Sequence, residues 1–189
     1  MRMKIIKDIP PQLPPNTMCA IDVEIYGMDK NLLHRPNKLD GSPNGTFACA
    51  TFCITPDTVY IVDSVEQLQQ AMQNIKDAVW IFHNAKFDIT HLRRWVNIKY
   101  HKKVWDTMLI DQILWGGYYD RFSLDDLARR YLDIKLDKSM QSRFEKINFL
   151  SEEAIQYACR DCNVTRKIQI EQAKHVRDVD FKIWKTIEM

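Results

Sequence analysis

The stretch AIDVEIYG places two acidic residues inside an apolar run. Successive side chains of a β-strand point to opposite faces, so Ile21, Val23 and Ile25 would share one face. Asp22 and Glu24 would then lie side by side on the other face. Two neighbouring carboxylates repel each other, and burying them costs several kcal/mol each unless something compensates their charge.

Two helical segments repeat this combination of acids with apolar residues. The spacing predicts a helix over 85–97, in which Asp88 shares an apolar stripe with Leu92. In the last long helix, Tyr157 and Asp161 are four residues apart and therefore stack on one side. Each acid alone is equally well explained as a helix cap or a salt-bridge partner. Four acids at four core-facing positions are harder to explain in this way.

A divalent cation would compensate such a cluster better than basic side chains would, because no Lys or Arg is placed on the same faces. Carboxylate oxygens suit Mg²⁺ or Mn²⁺, and the lack of a nearby His or Cys pair argues against zinc. The sequence therefore predicts a carboxylate metal site formed by Asp22, Glu24, Asp88 and Asp161.

The composition is that of an ordinary soluble domain. The chain has 189 residues, 46% of them hydrophobic and 28% charged, which suits one domain with its own core. A formal net charge of +2 gives no strong global field, so contacts with nucleic acid must be local. No apolar run approaches the ~20 residues of a membrane helix. An odd number of cysteines, mostly in apolar runs, predicts reduced thiols and a cytoplasmic location.

The order of elements predicts an α/β fold. Three strands come first, then helices alternate with short strands, and helices close the chain, which favours a mixed sheet with helices on both faces. Side chains that open helices occur at Ser64, Asp106, Ser123 and Ser151. The loop 27–45 is rich in Gly, Pro and Asn, and we expect it to be mobile and functional.

Three short motifs resemble those of a known superfamily. DVE at 22–24, HNAKFD at 83–88 and YACRD at 157–161 resemble the three exonuclease motifs of the DEDD superfamily. The Y-x-x-x-D form of the third motif is similar to the tyrosine branch (DEDDy), which includes ribonuclease D and the proofreading domains of family-A DNA polymerases. VWDTMLIDQIL and SLDDLARRYL resemble the connecting segments of those proteins. The resemblance implies a ribonuclease H-like fold with a mixed sheet of about five strands.

The resemblance also implies the roles of particular residues. The four acids would bind two Mg²⁺ or Mn²⁺ ions, and Tyr157 would orient the attacking water. Substrate contacts are expected from Asn84, Ile25, Phe87 and Arg35. Ile25 is a departure from the family pattern, since many relatives have Thr or another small polar residue soon after the Glu.

The activity implied is a metal-dependent 3′–5′ exonuclease that releases nucleoside 5′-monophosphates from DNA, as the proofreading domain of a family-A DNA polymerase or as a stand-alone relative. Two alternatives stay open: an RNA 3′-end processing enzyme like ribonuclease D, and a catalytically weak module that only binds nucleic acid. The expected partners are single-stranded or frayed 3′-end DNA and a polymerase domain or subunit, with no membrane. The expected setting is a phage or bacterial cytoplasm.

The chain is expected to divide into three parts. Residues 1–16 would form an extended lead-in and 17–175 the exonuclease domain, while 176–189 would form a helical tail at the start of a missing polymerase part. Inside the domain, Tyr118 and Tyr119 follow two glycines. An exposed aromatic segment at this point could stack on nucleobases.

Overall fold

The structure, a computed structural model, describes residues 3–98, 103–137 and 151–177 together with Asp180. The strands are β1 (Lys4–Ile6), β2 (Met18–Tyr26), β3 (Thr46–Thr55), β4 (Thr58–Val62), β5 (Val79–Phe82) and β6 (Val104–Asp106). The helices are α1 (Val65–Asn74), α2 (Ala85–Leu92), α3 (Thr107–Trp115), α4 (Leu124–Leu132) and α5 (Glu152–Gln172). A short 3₁₀ helix spans Lys30–Leu32.

The strands form one mixed sheet in the order β1-β4-β3-β2-β5-β6. β2, β3 and β4 are antiparallel neighbours, whereas β5 and β6 continue the sheet parallel to β2. This is the expected α/β class with one strand more than the sequence predicts. The additional strand is β1, which pairs in parallel with β4 inside the segment expected to be only extended. Three residues are too few to show a period in the sequence.

The central strand β2 is covered on both faces. Ile21 and Val23 belong to the core that includes Leu68 of α1. Ala20, whose side chain lies on the other face, packs in a second core with Cys159 of α5. The alternation predicted for β2 is therefore confirmed, and the face that carries its two acids lies towards α5.

Helix α2 is shorter than the periodicity predicts. It ends at Leu92 instead of continuing to residue 97. The backbone N–H groups of Trp95 and Val96 both donate to the Leu92 carbonyl, at 3.0 and 2.9 Å, which closes a turn. Trp95 then packs edge-on against Phe47, with ring centroids 5.3 Å apart. Tertiary packing thus overrides the local helical pattern.

The loop 27–45 is organised around a buried asparagine and is not the loose segment that its composition suggests. Asn44 Oδ1 accepts a hydrogen bond from the Asp29 N–H at 2.9 Å. Asn44 Nδ2 donates to the carbonyls of Leu32 and Arg35, at 2.8 and 3.0 Å. Arg94 fastens the loop to the end of α2 by donating to the carbonyls of Asn44 and Gly45.

The predicted helical tail, 176–189, lies almost entirely outside the described residues. Within the described part, Arg177 and Asp180 form an ion pair at 3.1 Å. All five cysteines lie in the described ranges and are free and buried, as the sequence predicts. No helix among the described residues is both long and apolar enough to cross a membrane.

Two glycines of the loop give a matched test of its packing. Gly41 and Gly45 have similar left-handed φ angles, +82° and +84°. A Cβ at Gly45 would lie 2.6 Å from Ile25 Cγ2 and 2.9 Å from the Tyr26 carbonyl oxygen, whereas a Cβ at Gly41 meets nothing within 4 Å. Gly41→Ala should cost only the backbone strain, about 1 kcal/mol. Gly45→Ala should cost clearly more in urea unfolding, and equal losses would show that the loop is loosely packed.

Candidate active site

The two acids of the central strand lie side by side and half-buried on the face towards α5. Asp22 is paired with Thr51 of β3, and Glu24 with Cys49. The register shifts by one residue immediately after Glu24, which is a β-bulge. Bulges of this kind commonly re-aim side chains next to active sites. Among the described residues, the carboxylates of Asp22 and Glu24 have no hydrogen bond or ion pair.

Helix α5 brings the third motif onto the same face. Its N-terminus is capped by Ser151, whose hydroxyl accepts from the Ala154 N–H at 3.3 Å. The Cys162 thiol donates to the Ala20 carbonyl of β2 at 3.4 Å, so the helix lies directly against the strand. Asp161 and Tyr157 therefore face the two acids of β2.

Asp161 is left with an unsatisfied carboxylate oxygen. Its Oδ1 is buried and has no hydrogen-bond partner in the part of the chain that the structure describes. The Arg160 Nε atom lies 3.6 Å away, beyond hydrogen-bond distance. Buried polar atoms are nearly always satisfied in folded proteins, so this oxygen is available to a ligand.

The fourth acid ties α2 to the central strand. Asp88 is almost fully buried, and its Oδ1 accepts a hydrogen bond from the Val23 N–H at 3.1 Å. Val23 lies between the two acids of β2 in the sequence. This contact therefore joins α2 to β2 at a point between Asp22 and Glu24.

A fifth buried acid fixes the start of α2. Asp106 accepts backbone N–H bonds from Asn84 at 3.0 Å and from Ala85 at 2.7 Å, at the beginning of α2. It also accepts from Met108 and Leu109 at the beginning of α3. The sequence predicts only the second of these roles, because a bond to the earlier helix depends on a tertiary contact. Asn84 itself has a left-handed φ of +72° and no side-chain cap, so Asp106 takes over the capping.

The pKa values show that the acids are electrostatically coupled. Burial raises the pKa of Asp22 to about 7, and the charge of Asp161 adds to the increase. Burial also raises the pKa of Glu24 and of Asp88, each with a contribution from the charge of Asp22. The pKa of Tyr157 is raised by burial and then by the charge of Asp161. The five predicted catalytic residues therefore lie close enough together for their charges to affect one another's pKa values.

The donor set fits hard divalent cations. Its members are carboxylates, Asp22 and Glu24 have no cationic partner among the described residues, and one buried oxygen of Asp161 lacks a hydrogen bond. Within the described ranges, however, no group of three or more His, Cys, Asp or Glu side chains is already arranged around a single ion. Carboxylates with raised pKa values repel one another when ionised, so their convergence would need the cation itself.

The four side chains predicted to contact the substrate lie further apart than the acids do. Asn84 lies at the start of α2, beside the acids. Ile25 is buried on the opposite face of β2, and Phe87 packs against His91 with ring centroids 4.9 Å apart. Arg35 is exposed on the loop 27–45. The described contacts join none of these four side chains to the acids.

One comparison shows the family of the chain. A model of 3′–5′ exonucleases matches residues 46–175, which is more than half of the 189 residues. The chain therefore belongs to the 3′–5′ exonuclease family, and the resemblance to the DEDD superfamily is confirmed. The matched range includes Asp88, Tyr157 and Asp161 but begins after Asp22 and Glu24. No curated protein matches the chain.

Solved structures of exonucleases have the same fold. NrnC from Brucella melitensis bound to pGG is 19% identical, with a TM-score of 0.73 over 98% of this chain and 87% of that one. The same protein with bound Mg²⁺ is 18% identical, with a TM-score of 0.71 over 98% and 88%. Trypanosoma brucei RNase D in complex with RNA U12 is 15% identical, with a TM-score of 0.66 over 87% and 57%. The likeness confirms the ribonuclease H-like architecture.

The raised pKa values predict how stability changes with pH. Between the ordinary Asp value of 3.8 and about 7, the folded state holds a proton on Asp22 that the unfolded state has lost. Without metal, the free energy of unfolding should therefore fall as pH rises through this window, by at most about 1.4 kcal/mol per pH unit for each such carboxyl.

Chemical denaturation in EDTA across this pH window checks the expectation. Asp22→Asn should flatten the pH dependence, because the amide does not titrate. Asp77→Asn, at an exposed aspartate before β5, is the control and should keep the slope of the unaltered protein. If Asp22→Asn also kept that slope, Asp22 would not carry the coupling.

Proposed function

We propose that the chain hydrolyses single-stranded nucleic acid from the 3′ end with the help of divalent metal and releases nucleoside 5′-monophosphates. The observation that carries this proposal is the convergence of Asp22, Glu24, Asp88 and Asp161, for which Arg160, 3.6 Å from Asp161, is the single cationic partner among the described contacts. A module that only binds nucleic acid has no use for such a cluster, which costs free energy in the folded protein. Membership of the 3′–5′ exonuclease family gives the reaction class.

Each acid has a distinct place in the proposed metal site. Asp22 and Glu24 form a platform that cannot shift easily, because β2 is hydrogen-bonded to strands on both sides. Asp161 reaches this platform from α5 with an oxygen that has no hydrogen bond among the described residues. Asp88 is already engaged with the Val23 N–H and would bind from the edge of the cluster, or through water.

Divalent ions would supply charge neutralisation for the attacking and leaving oxygens and would activate a water near neutral pH. NrnC, which shares the fold, has been determined with bound Mg²⁺. Two such ions in this chain remain a proposal that rests on the donor set.

Tyr157 would orient the attacking water without removing its proton. The hydroxyl hydrogen-bonds to Asp161, and the pKa of Tyr157 is raised above its usual value of 10 by burial and by the surrounding acids. A phenol that holds its proton this firmly is a poor base near neutral pH. It can still donate one hydrogen bond and accept another, which fixes the position of a water.

The substrate of the proposed exonuclease is either DNA or RNA. DNA remains our expectation from the motifs, and the polymerase-proofreading context stays a prediction. RNA is the second candidate, because RNase D with the same fold is complexed with RNA U12. The contacts of the described residues do not distinguish the deoxyribose of DNA from the ribose of RNA.

The decisive experiment uses end-labelled single strands of DNA and RNA of the same sequence. Each is incubated with Mg²⁺, Mn²⁺, Ca²⁺ or EDTA, and the products are resolved by length. We expect stepwise loss from the 3′ end with Mg²⁺ or Mn²⁺ and none with EDTA. The relative rates on the two strands identify the substrate.

Asp22→Ala should reduce turnover by several orders of magnitude, because it removes one of the two β2 carboxylates that are proposed to bind the metal. The fold should remain, since the substitution relieves repulsion in the metal-free protein. Asp77→Ala is the matched control and should retain full activity. Cleavage by Asp22→Ala at the normal rate would exclude the assigned metal site.

Tyr157→Phe should lower kcat by about tenfold to a hundredfold and leave the shape of the pH–rate profile unchanged. The shape is preserved because the phenol does not titrate in the working range. Tyr60→Phe, on strand β4, serves as the control for a tyrosine remote from the acids. Loss of a basic limb of the profile in Tyr157→Phe would show instead that the tyrosine acts as a proton acceptor.

A further inference from the structure

A second candidate binding surface lies at the connection between α3 and α4. It is an open pocket of about 500 Å³ whose lining consists of two tyrosines, three arginines and two aspartates: Tyr118, Tyr119, Arg121, Arg129, Arg130, Asp120 and Asp126. The catalytic proposal uses none of these residues. We refer to this feature as the Tyr118 pocket.

The turn that presents the tyrosines is sterically defined. Gly116 has no room for a side chain, because a Cβ would lie 2.5 Å from the Gln112 carbonyl oxygen. Gly117 follows with a left-handed φ of +88°. The Trp115 ring then makes edge contacts with Tyr118 and Tyr119, at centroid distances of 6.5 and 6.4 Å. The two tyrosines are therefore held by their neighbours.

Tyr119 is partly covered, at 45% exposure, and Tyr118 is left almost wholly to solvent. The Arg130 guanidinium lies 3.6 Å from the centroid of the Tyr119 ring. Arg130 is itself held by an ion pair with the fully buried Asp111. Tyr118, by contrast, is 85% exposed. A large ring presented to water on a fixed turn has the character of a stacking platform, since every nucleobase offers a π-face.

Two charged groups of the pocket, Arg121 and the exposed Asp120, have no partner among the described contacts. Arg129 is paired with Asp125 at 2.9 Å, and Arg130 is engaged as described. Asp126 is occupied by the capping box of α4. The Arg121 side chain is exposed and has no partner among the described residues. A free guanidinium beside an exposed ring matches one nucleotide, which carries one phosphate and one base.

Helix α3 connects the pocket to the candidate active site. Asp106 accepts from the Met108 and Leu109 N–H groups at the start of α3, and the same carboxylate holds the Asn84 N–H at the start of α2. The tyrosines follow the other end of α3, which at 1.5 Å per residue lies about 14 Å away. A strand whose 3′ end lies at the acids would therefore extend along α3 to reach Tyr118.

We propose that the Tyr118 pocket binds a nucleotide of the substrate strand upstream of the cleaved end, with the base stacked on Tyr118 and a phosphate paired with Arg121. This inference rests on the proposed function of the same chain. It makes affinity depend on strand length, because a dinucleotide has only one nucleotide on the 5′ side of the scissile bond and is too short to span from the acids to the pocket.

The test compares a dinucleotide with a single strand about ten nucleotides long. Tyr118→Ala should raise KM for the longer strand by about fivefold or more, since stacking contributes ~1–3 kcal/mol per base. Arg121→Ala should also raise this KM and reduce the slope of log affinity against log salt by about 0.7. Hydrolysis of the dinucleotide should be unchanged in both variants. Lys4→Ala, at an exposed lysine on the opposite edge strand β1, is the control.

Three results would overturn the proposal. The first is an unchanged KM for the longer strand in Tyr118→Ala and Arg121→Ala. The second is an equal loss on both substrates, which would indicate general damage to the fold. The third is a change in sedimentation without a change in KM, which would assign the exposed ring to a protein contact.

A binding measurement separates this proposal from the catalytic one. Fluorescence anisotropy of the labelled longer strand is measured with Asp22→Ala alone and with Asp22→Ala combined with Tyr118→Ala. Weaker binding by the double variant supports the pocket even if no strand is ever cleaved. Equal binding by the two proteins overturns the pocket even if the exonuclease activity is established.

Discussion

Burial of carboxylates is the constraint on which this structure depends, and the chain meets it in two different ways. Asp106 is satisfied by four backbone N–H groups, and Asp111 by the ion pair with Arg130 and a hydrogen bond from the Tyr131 hydroxyl. For these two acids, described partners account for the burial. The Asp22 carboxylate has no such partner among the described residues, and Asp161 keeps one buried oxygen without a hydrogen bond, although Arg160 lies 3.6 Å from it. The contrast within one chain separates structural acids from candidate ligands better than acidity or burial alone.

The architecture can hold repelling groups because their backbones are fixed by interactions elsewhere. β2 is an interior strand, so Asp22 and Glu24 cannot separate by movement of the backbone. The far end of α5 is anchored where Gln172 Nε2 donates to the Thr107 carbonyl at 2.8 Å. Gln172 Oε1 accepts from the Trp105 indole at 3.1 Å. The carboxylates can then move mainly by rotation of their side chains. Such rotation is enough for them to converge on a cation when it binds.

The sequence predicts those parts of the site that depend on local periodicity. Alternation in β2 separates Asp22 from Val23, and helical spacing stacks Tyr157 on Asp161. Features that depend on distant contacts are not predictable in this way. The double capping by Asp106 requires β6 to lie beside β5, and the early end of α2 requires Trp95 to reach Phe47. The order inside the loop 27–45 depends on one buried Asn among many loop residues, and its type alone does not distinguish it.

The modest net charge constrains how this protein can recognise nucleic acid. With a formal charge of +2 the chain has little long-range attraction for a polyanion. The acidic cluster would repel the strand further until cations neutralise it. Binding must therefore come from contacts that act at short range. An exposed ring such as Tyr118 meets this requirement, because stacking acts at short range and does not depend on the charge of the protein. The exposed guanidinium of Arg121 would then fix the position of the strand more than it raises the affinity for it, which is the usual role of phosphate contacts.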